Sequence, residues 1–415
     1  MSAPRPMTPR IAALGIVRRL RDADRRAYFA GGCVRDMLLR RRPDDYDVAT
    51  DARPEEIIRL FRRTRQVGAQ FGVVLVGAGP HWVEVATFRS DAAYSDGRHP
   101  DAVRFSEPAD DAQRRDFTIN GMFYDPLARR IIDYVDGQRD LASGVIRAIG
   151  EPQRRFEEDH LRMLRAVRFA ARLGFPIESK TRAAIGRNAP HIARVSPERI
   201  FEELSSILSH PSRAAGWRDA CELRLLPHLW AGAASLARDA RLIERRLAAL
   251  PRRAPVELAF AAILLGRPAA ELHATARALR TSNDTRVAIA WLVERAAVLP
   301  ELPRREVADL KLLMAHPRFG ELLALHTAEL AARGQSPAPC RALLRRARAI
   351  PHSEVAPPPL LSGDDLAALH LPAGPAYRVI LERVYRAQLN GQLRDRTAAR
   401  ALARQLISEL RPAAH

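Results

Sequence analysis

Every strand signal in this 415-residue chain falls before residue 150. Short β-like runs alternate there with turns and helices: DDYDVAT, QFGVVLVGAG, HWVEVATFR and RRIIDYVDG. VVLV is an unbroken apolar run and reads as a buried strand, whereas WVEVATF alternates with period two, as a half-buried strand does. Between Arg89 and Arg114, SDAAYSDGRHPDAVRFSEPADDAQ is rich in Asp, Gly and Pro and reads as a loop with one short strand, DAVRF. From about residue 151 the spacing is helical, in EEDHLRMLRAVRFAARL, PERIFEELSSIL and SLARDARLIERRLAAL, with no fixed-period repeat. A proline-rich break, HSEVAPPPLLSG, starts near residue 352 and sets off a helical tail. The expected fold is α+β, a small sheet-bearing head on a long all-helical remainder.

Charge narrows the partners. The formal net charge is +19, and Lys180 and Lys311 are the only lysines, so nearly all the positive charge is arginine. A surplus of this size favours a polyanion, with nucleic acid the first expectation. The best apolar run, LAFAAILLG, ends at Arg267 and is far shorter than the ~20 residues a membrane span needs. The N-terminal MSAPRPMTPRIAALG lacks the apolar core of a secretory signal. Cys33, Cys221 and Cys340 form no CxxC pair, which fits a reducing cytoplasm and excludes a disulfide framework or cysteine zinc site.

The densest chemistry lies in FAGGCVRDMLLRRRPDDYDVATD, residues 29 to 51. Asp45 and Asp47 flank Tyr46 on a predicted strand, so both carboxylates are expected on one face, with Asp44 on the other. Two hard oxygen ligands that close suit Mg²⁺ shared with substrate phosphates, although DxD alone is more often a solvated acidic turn. Gly31 and Gly32 stand at a strand-to-helix junction where backbone N–H groups approach an anion, with Arg35 in the first turn of a helix starting near Val34. Glu84 in WVEVATF is the best candidate for a third acid, the alternative being an edge-strand charge.

Taken in order, GGCVRD, DYD, VEVATFRSD, RRDFTINGM, DGQRDL and EEDHLR resemble the class II tRNA nucleotidyltransferase and bacterial poly(A) polymerase family. The resemblance is strong over residues 28 to 210 and returns in LLSGDDLAALHLPAGPAYRVILERVYRAQLNGQL near the C-terminus. It implies a polymerase-β-like head with a small mixed sheet (1–150), then an all-α neck (151–215), body (216–355) and tail (356–415). It places Mg²⁺ on Asp45 and Asp47 with Glu84 as third acid, and phosphate contacts on Gly32 and Arg35. Arg114, Arg115 and Asp116 fall on its triphosphate and ribose motif, DGQRDL on the head–neck hinge, and PERIFEEL on a structural motif of the neck.

Asp159 and Arg162 lie three apart on a predicted helix, where an isolated DxxR is usually an intrahelical salt bridge. In the family's setting they form a base-reading pair. Adenine and cytosine each present an amino donor beside a ring-nitrogen acceptor, which a carboxylate and a guanidinium match. Guanine and uracil reverse that order, at a cost of ~1–3 kcal/mol per mispaired group. The resemblance adds Arg165 behind this pair and Arg168 toward phosphate or the RNA end, though each step of three turns about 60° round the helix.

The expected activity is template-independent addition of CMP and AMP from CTP and ATP to the tRNA 3′ end, with two metal ions and release of pyrophosphate. The loop at 91–113, with Tyr94, Asp96, Gly97, Arg98 and His99, is expected to reposition the site between C and A. Partners are the tRNA acceptor end, ATP and CTP, with no DNA and no membrane; oligomeric state stays open. The alternatives are an A-adding enzyme, a poly(A) polymerase, a non-catalytic RNA-binding protein, and a head that nucleotidylates a small molecule or protein. RRTRQVGAQFGVVLV after the DxD strand lacks the arginine-rich insertion of many bacterial poly(A) polymerases, and the absence of any His-Asp dipeptide leaves no metal phosphohydrolase domain.

Overall fold

A computed structural model describes residues 7–66, 72–91 and 103–410. The chain divides into two compact units, Met1–Ala240 with Ala274–Thr281, and Arg241–His273 with Ser282–His415.

The first unit begins with helix α1 (Pro9–Asp22), whose N-cap Thr8 accepts from the Ile11 amide. Strand β1 (Ala27–Ala30), helix α2 (Gly32–Leu38), strand β2 (Asp47–Thr50) and helix α3 (Pro54–Leu60) follow. Strands β3 (Thr64–Gln66), β4 (Val73–Ala78), β5 (His81–Thr87), β6 (Arg89–Asp91) and β7 (Val103–Phe105) lead to helix α4 (Pro108–Gln113). Strands β8 (Phe123–Asp125) and β9 (Arg130–Ile132) complete a seven-stranded sheet ordered β3-β4-β5-β2-β1-β8-β9. The sheet is mixed: β2 runs parallel to β5, and the other pairs are antiparallel.

Alternation decides which face is covered. Val83 and Val85 of β5 and Val74 and Val76 of β4 are buried, on the side where α1 packs. Trp82 and Glu84 of β5 point the other way and are exposed, so among the described residues this part of the sheet has one open face. The short strand expected in DAVRF forms as β7 and pairs with β6. Tyr94, Asp96, Gly97, Arg98 and His99 lie outside the described residues.

Helix α5 (Gly137–Ser143) opens the DGQRDL stretch, and its first residue must be glycine for steric reasons. A Cβ at Gly137 would stand 2.3 Å from the Thr118 carbonyl oxygen and 2.7 Å from Met122 Cγ. Gly137→Ala is therefore expected to cost about 1–3 kcal/mol in urea unfolding, as overpacking does. A loss within error would show that this junction yields freely.

Among the described residues no strand follows Ile132. Helices α6 (Pro152–Glu158), α7 (Leu161–Leu173), α8 (Ser179–Asn188) and α9 (Pro197–Leu208) succeed one another, with α7 packed on α9 through Leu164, Val167, Ile200 and Leu204 faces that are buried at helical spacing. In the second unit the helix Val256–Leu264, buried from Leu258 onward, packs against Asn283–Ala296 and Phe319–Ala332. LAFAAILLG is thus a core helix, and among the described residues no helix is long and apolar enough to cross a membrane. The C-terminal helices Pro375–Leu389 and Arg396–Leu410 close around Leu366, Ile380, Val384, Ala403 and Leu406.

Candidate active site

The sheet presents carboxylates at one end of the parallel pair. Val48 of β2 sits beside Val85 of β5, so the residues just before them, Asp47 and Glu84, are neighbours on the same face. The strand starts only at Asp47, where pairing with Ala30 begins, so Asp45 precedes it and does not lie on it as the sequence led us to expect. The alternation nevertheless persists: Tyr46 turns inward, its ring edge-on to Phe29 at 5.2 Å, while Asp45 faces solvent. Asp44, expected on the opposite face, lines the same cleft as Asp45 and Asp47, because it sits in the bend before the strand and not in the pleat.

Burial pushes the Asp47 carboxyl up to about 7, and repulsion from Glu84 and Asp45 adds to the rise. Glu84 reaches solvent, yet the protein crowded around it and the Asp45 charge also hold its carboxyl above the ordinary glutamate range, with Arg115 pulling it back. Such mutual repulsion is relieved by a divalent cation. Among the described residues no three His, Cys, Asp or Glu side chains gather into a ready-made metal cage. Two carboxylates completed by substrate phosphates are what Mg²⁺ ordinarily accepts, so the donor set fits that mode of binding.

A cleft of about 660 Å³ adjoins these acids, lined by eight arginines, six aspartates and one aromatic ring. Gly31 caps α2 with φ of 70° and ψ of −130°, a conformation open to glycine, and a Cβ there would meet Arg115 Nη1 at 3.1 Å. The helix starts at Gly32, two residues earlier than its sequence signal. Arg35 donates to Asn120 Oδ1 at 2.8 Å and lies 5.2 Å from the centre of the Phe169 ring.

Arg114 and Arg115 are both held by Asp111, a buried acid that nothing in the sequence singled out, at 2.6 and 3.0 Å. Asp116 is buried. Its Oδ1 accepts from the Phe117 amide at 2.8 Å and Asn120 Nδ2 at 3.0 Å, and its Oδ2 from Arg165 Nε and Nη2 at 2.9 and 2.7 Å. Arg35, Asn120, Asp116 and Arg165 thereby form one chain of hydrogen bonds from α2 to α7. Arg165 is held by Asp116, and the Asp159 charge also acts on it. Arg168 is bound at 2.6 Å by Glu203 of α9, within PERIFEEL, which therefore shapes the cleft as well as the neck.

Asp159 and Arg162 do not share a helix. The chain breaks between α6 and α7 at Asp159, whose backbone is extended, so the single helix expected to carry both is interrupted and the alternative reading, an intrahelical salt bridge, does not form. Asp159 Oδ2 accepts from Arg199 of α9 at 2.8 Å, and Arg162 donates to Glu158 and to the Arg114 and Arg155 carbonyls. Both side chains still line the cleft, together with Arg199 and Phe169. Glu84 is outside the cleft lining and beside Asp47, on the open face of the sheet.

A model described as "Poly A polymerase head domain" matches residues 27–147, and one described as "Probable RNA and SrmB- binding site of polymerase A" matches 174–235. A CCA-adding enzyme of Lacticaseibacillus paracasei is 42% identical over 58% of this chain, which spans 61% of that relative. A CCA-adding enzyme of Geobacillus stearothermophilus is 33% identical over 92% of this chain and 93% of its own length. The chain belongs to the family of CCA-adding enzymes and bacterial poly(A) polymerases. A poly(A) polymerase I of Escherichia coli shares 42% identity over 52% of this chain and 49% of its own. The structure of the Bacillus stearothermophilus CCA-adding enzyme in complex with CTP superposes with a TM-score of 0.81, at 31% identity, covering 97% of this chain and 99% of that one. The nucleotidyltransferase fold implies use of a divalent metal.

Proposed function

We propose that this protein adds CMP and AMP, taken from CTP and ATP, to the 3′ end of tRNA, with Mg²⁺ held by Asp45 and Asp47. The observation that carries this reading is the extent of likeness: it runs over 93% of one CCA-adding enzyme in sequence and over 99% of another in structure. Divalent ions held by Asp45 and Asp47 would supply a lowered pKa for the attacking hydroxyl and charge neutralisation on the triphosphate. The chain's own groups do the rest. The amides at Gly31 and Gly32, with Arg35 and Arg115, draw the phosphates into the cleft. A bond forms between the RNA 3′-oxygen and the α-phosphorus as the bond to the β-phosphate oxygen breaks, and pyrophosphate leaves. Glu84, beside Asp47, takes up the proton.

Asp159 and Arg162 read the amino donor and ring-nitrogen acceptor of adenine or cytosine, with Arg199 fixing the carboxylate. Asp116 has all four of its acceptor positions filled, so we assign it to holding Arg165 and Asn120 and not to receiving a ribose hydroxyl. Arg165 and Arg168 present positive charge to the nucleotide or to the RNA end. Residues 1–150 carry the chemistry and 151–215 the base recognition, and the helical remainder at 216–355 and 356–415 holds tRNA by phosphate and shape. We place this activity in the cytoplasm.

The test supplies ATP and CTP, singly and together, to tRNA transcripts ending at the discriminator base, in C and in CC, with an oligo(A) primer alongside. Growth to CCA that then stops is the expected result, with Asp45→Ala inactive. Extension of the CC-ending transcript alone would make this an A-adding enzyme. Long tails on oligo(A) would favour the poly(A) reading, in line with the 42% identity to a poly(A) polymerase I over 229 residues. Full activity of Asp45→Ala would sink the metal assignment.

A further inference from the structure

The acids stand where two surfaces meet. Asp45 and Asp47 line the cleft, and Glu84, on the same face of the sheet as Asp47, lies outside the cleft lining among cationic and aromatic groups. Across the strands Arg65 pairs with Leu75 and Leu75 with Glu84, so Arg65, Leu75, Glu84 and Asp47 form one lateral row. In the next row Trp82 stands opposite Gly77. The Arg63 side chain lies across Gly77, where a Cβ would meet Arg63 Nε at 3.2 Å, and its Nη1 donates to the Gly79 carbonyl at 2.7 Å. The guanidinium carbons of Arg65 and Arg63 stand 4.2 and 5.3 Å from the centre of the Trp82 ring. Trp82 remains 37% exposed, and both arginines are exposed.

We propose that the Arg63–Trp82–Arg65 cluster is the platform for the single-stranded 3′ end of the RNA being extended, with Trp82 stacking a base and the arginines taking its phosphates. This rests on the RNA nucleotidyltransferase reading. In-line displacement puts the attacking hydroxyl on the side of the α-phosphate away from the pyrophosphate. The cleft claims the triphosphate, so the strand must reach the acids from the opposite side, and the open sheet face beyond Glu84 is continuous with them. Trp82 is two residues from Glu84 along β5, about 7 Å. That matches about two stacked nucleotides at about 3.4 Å each, so the stacked base is one of those just behind the 3′ terminus. An aromatic ring flanked by guanidinium groups binds single strands with little regard to sequence. Such tolerance suits an end whose terminal base changes after every addition.

The experiment compares Trp82→Ala, Trp82→Phe and Arg65→Gln with wild type in extension of the CC-ending tRNA transcript by ATP, measuring KM for RNA and for ATP separately. Trp82→Ala and Arg65→Gln are expected to raise the RNA KM about tenfold each, with the ATP KM unchanged and Trp82→Phe close to wild type. An unchanged RNA KM in Trp82→Ala overturns the platform while leaving the enzyme's function standing. A parallel loss of ATP affinity overturns it too, since Trp82 would then act by supporting the sheet. A wild-type protein that extends no RNA removes the underlying activity and the platform with it.

Discussion

Asp47→Asn is expected to slow RNA extension by roughly a hundred- to a thousandfold and, at the same time, to raise the melting temperature of the metal-free protein. Both effects follow from one arrangement. Burial, then the charges of Glu84 and Asp45, lift the Asp47 carboxyl from 3.8 to about 7, against the pull of Arg115. For an acid, a folded-state pKa above the unfolded one means that the fold disfavours the ionised form. Above pH 7 the Asp47 charge therefore subtracts from stability, and below 3.8 that penalty is gone. Asparagine keeps the shape, removes the charge and so removes the penalty at pH 8. It also removes one of the two ligands proposed for the cation. Thermal melts at pH 8 in chelator, beside primer extension in Mg²⁺, check the pair of effects; a lower melting temperature for Asp47→Asn would contradict the account of a repelling acid cluster. Stability withheld at a site and recovered on binding is how active sites commonly hold several like charges together.

What the sequence made legible is what short spacing encodes. The period-two run WVEVATF placed Val83 and Val85 inward and Glu84 outward, and the glycine pair marked the strand-to-helix junction, though α2 begins two residues before the expected Val34. The break between strand-bearing head and helical remainder was visible in the loss of β-like runs from about residue 151, although the last strand already ends at Ile132. The errors arose where spacing within one segment was asked to stand for three-dimensional pairing. Asp159 and Arg162 looked like helix neighbours, yet the chain turns at Asp159, and its partner Arg199 is 40 residues away. Arg165 and Arg168 continued an arginine stripe in the sequence, but their partners Asp116 and Glu203 are 49 and 35 residues distant. Asp111 and Phe169 carried no signal of their own. In a chain so rich in arginine, which guanidinium is pinned by a buried acid and which is left for a phosphate is decided only by packing.

Asp116→Asn is expected to destabilise the first unit by about 3–5 kcal/mol, the usual consequence of removing one partner from a buried ion pair. Burial by itself would raise the Asp116 carboxyl, but the Arg165 guanidinium, Asn120 and the Phe117 amide outweigh it and hold the group at about 2. The unfolded value is 3.8, so here the sign is opposite to that of Asp47. The ion pair contributes its full stability above 3.8 and loses it as pH falls toward about 2. Wild-type unfolding free energy should fall across that window, and Asp116→Asn should lack this part of the fall. Because the damage comes from an uncompensated guanidinium, Asp116→Asn combined with Arg165→Met should be more stable than the sum of the two single losses. Strict additivity would mean that the two side chains act independently. The joint matters beyond stability: it fastens the sheet-bearing head, through Asn120 and Arg35, to the helix that carries Arg162. The halves of the cleft proposed to hold triphosphate and base then keep a fixed separation, and nucleotide affinity should weaken together with stability in Asp116→Asn and recover in part in the double variant.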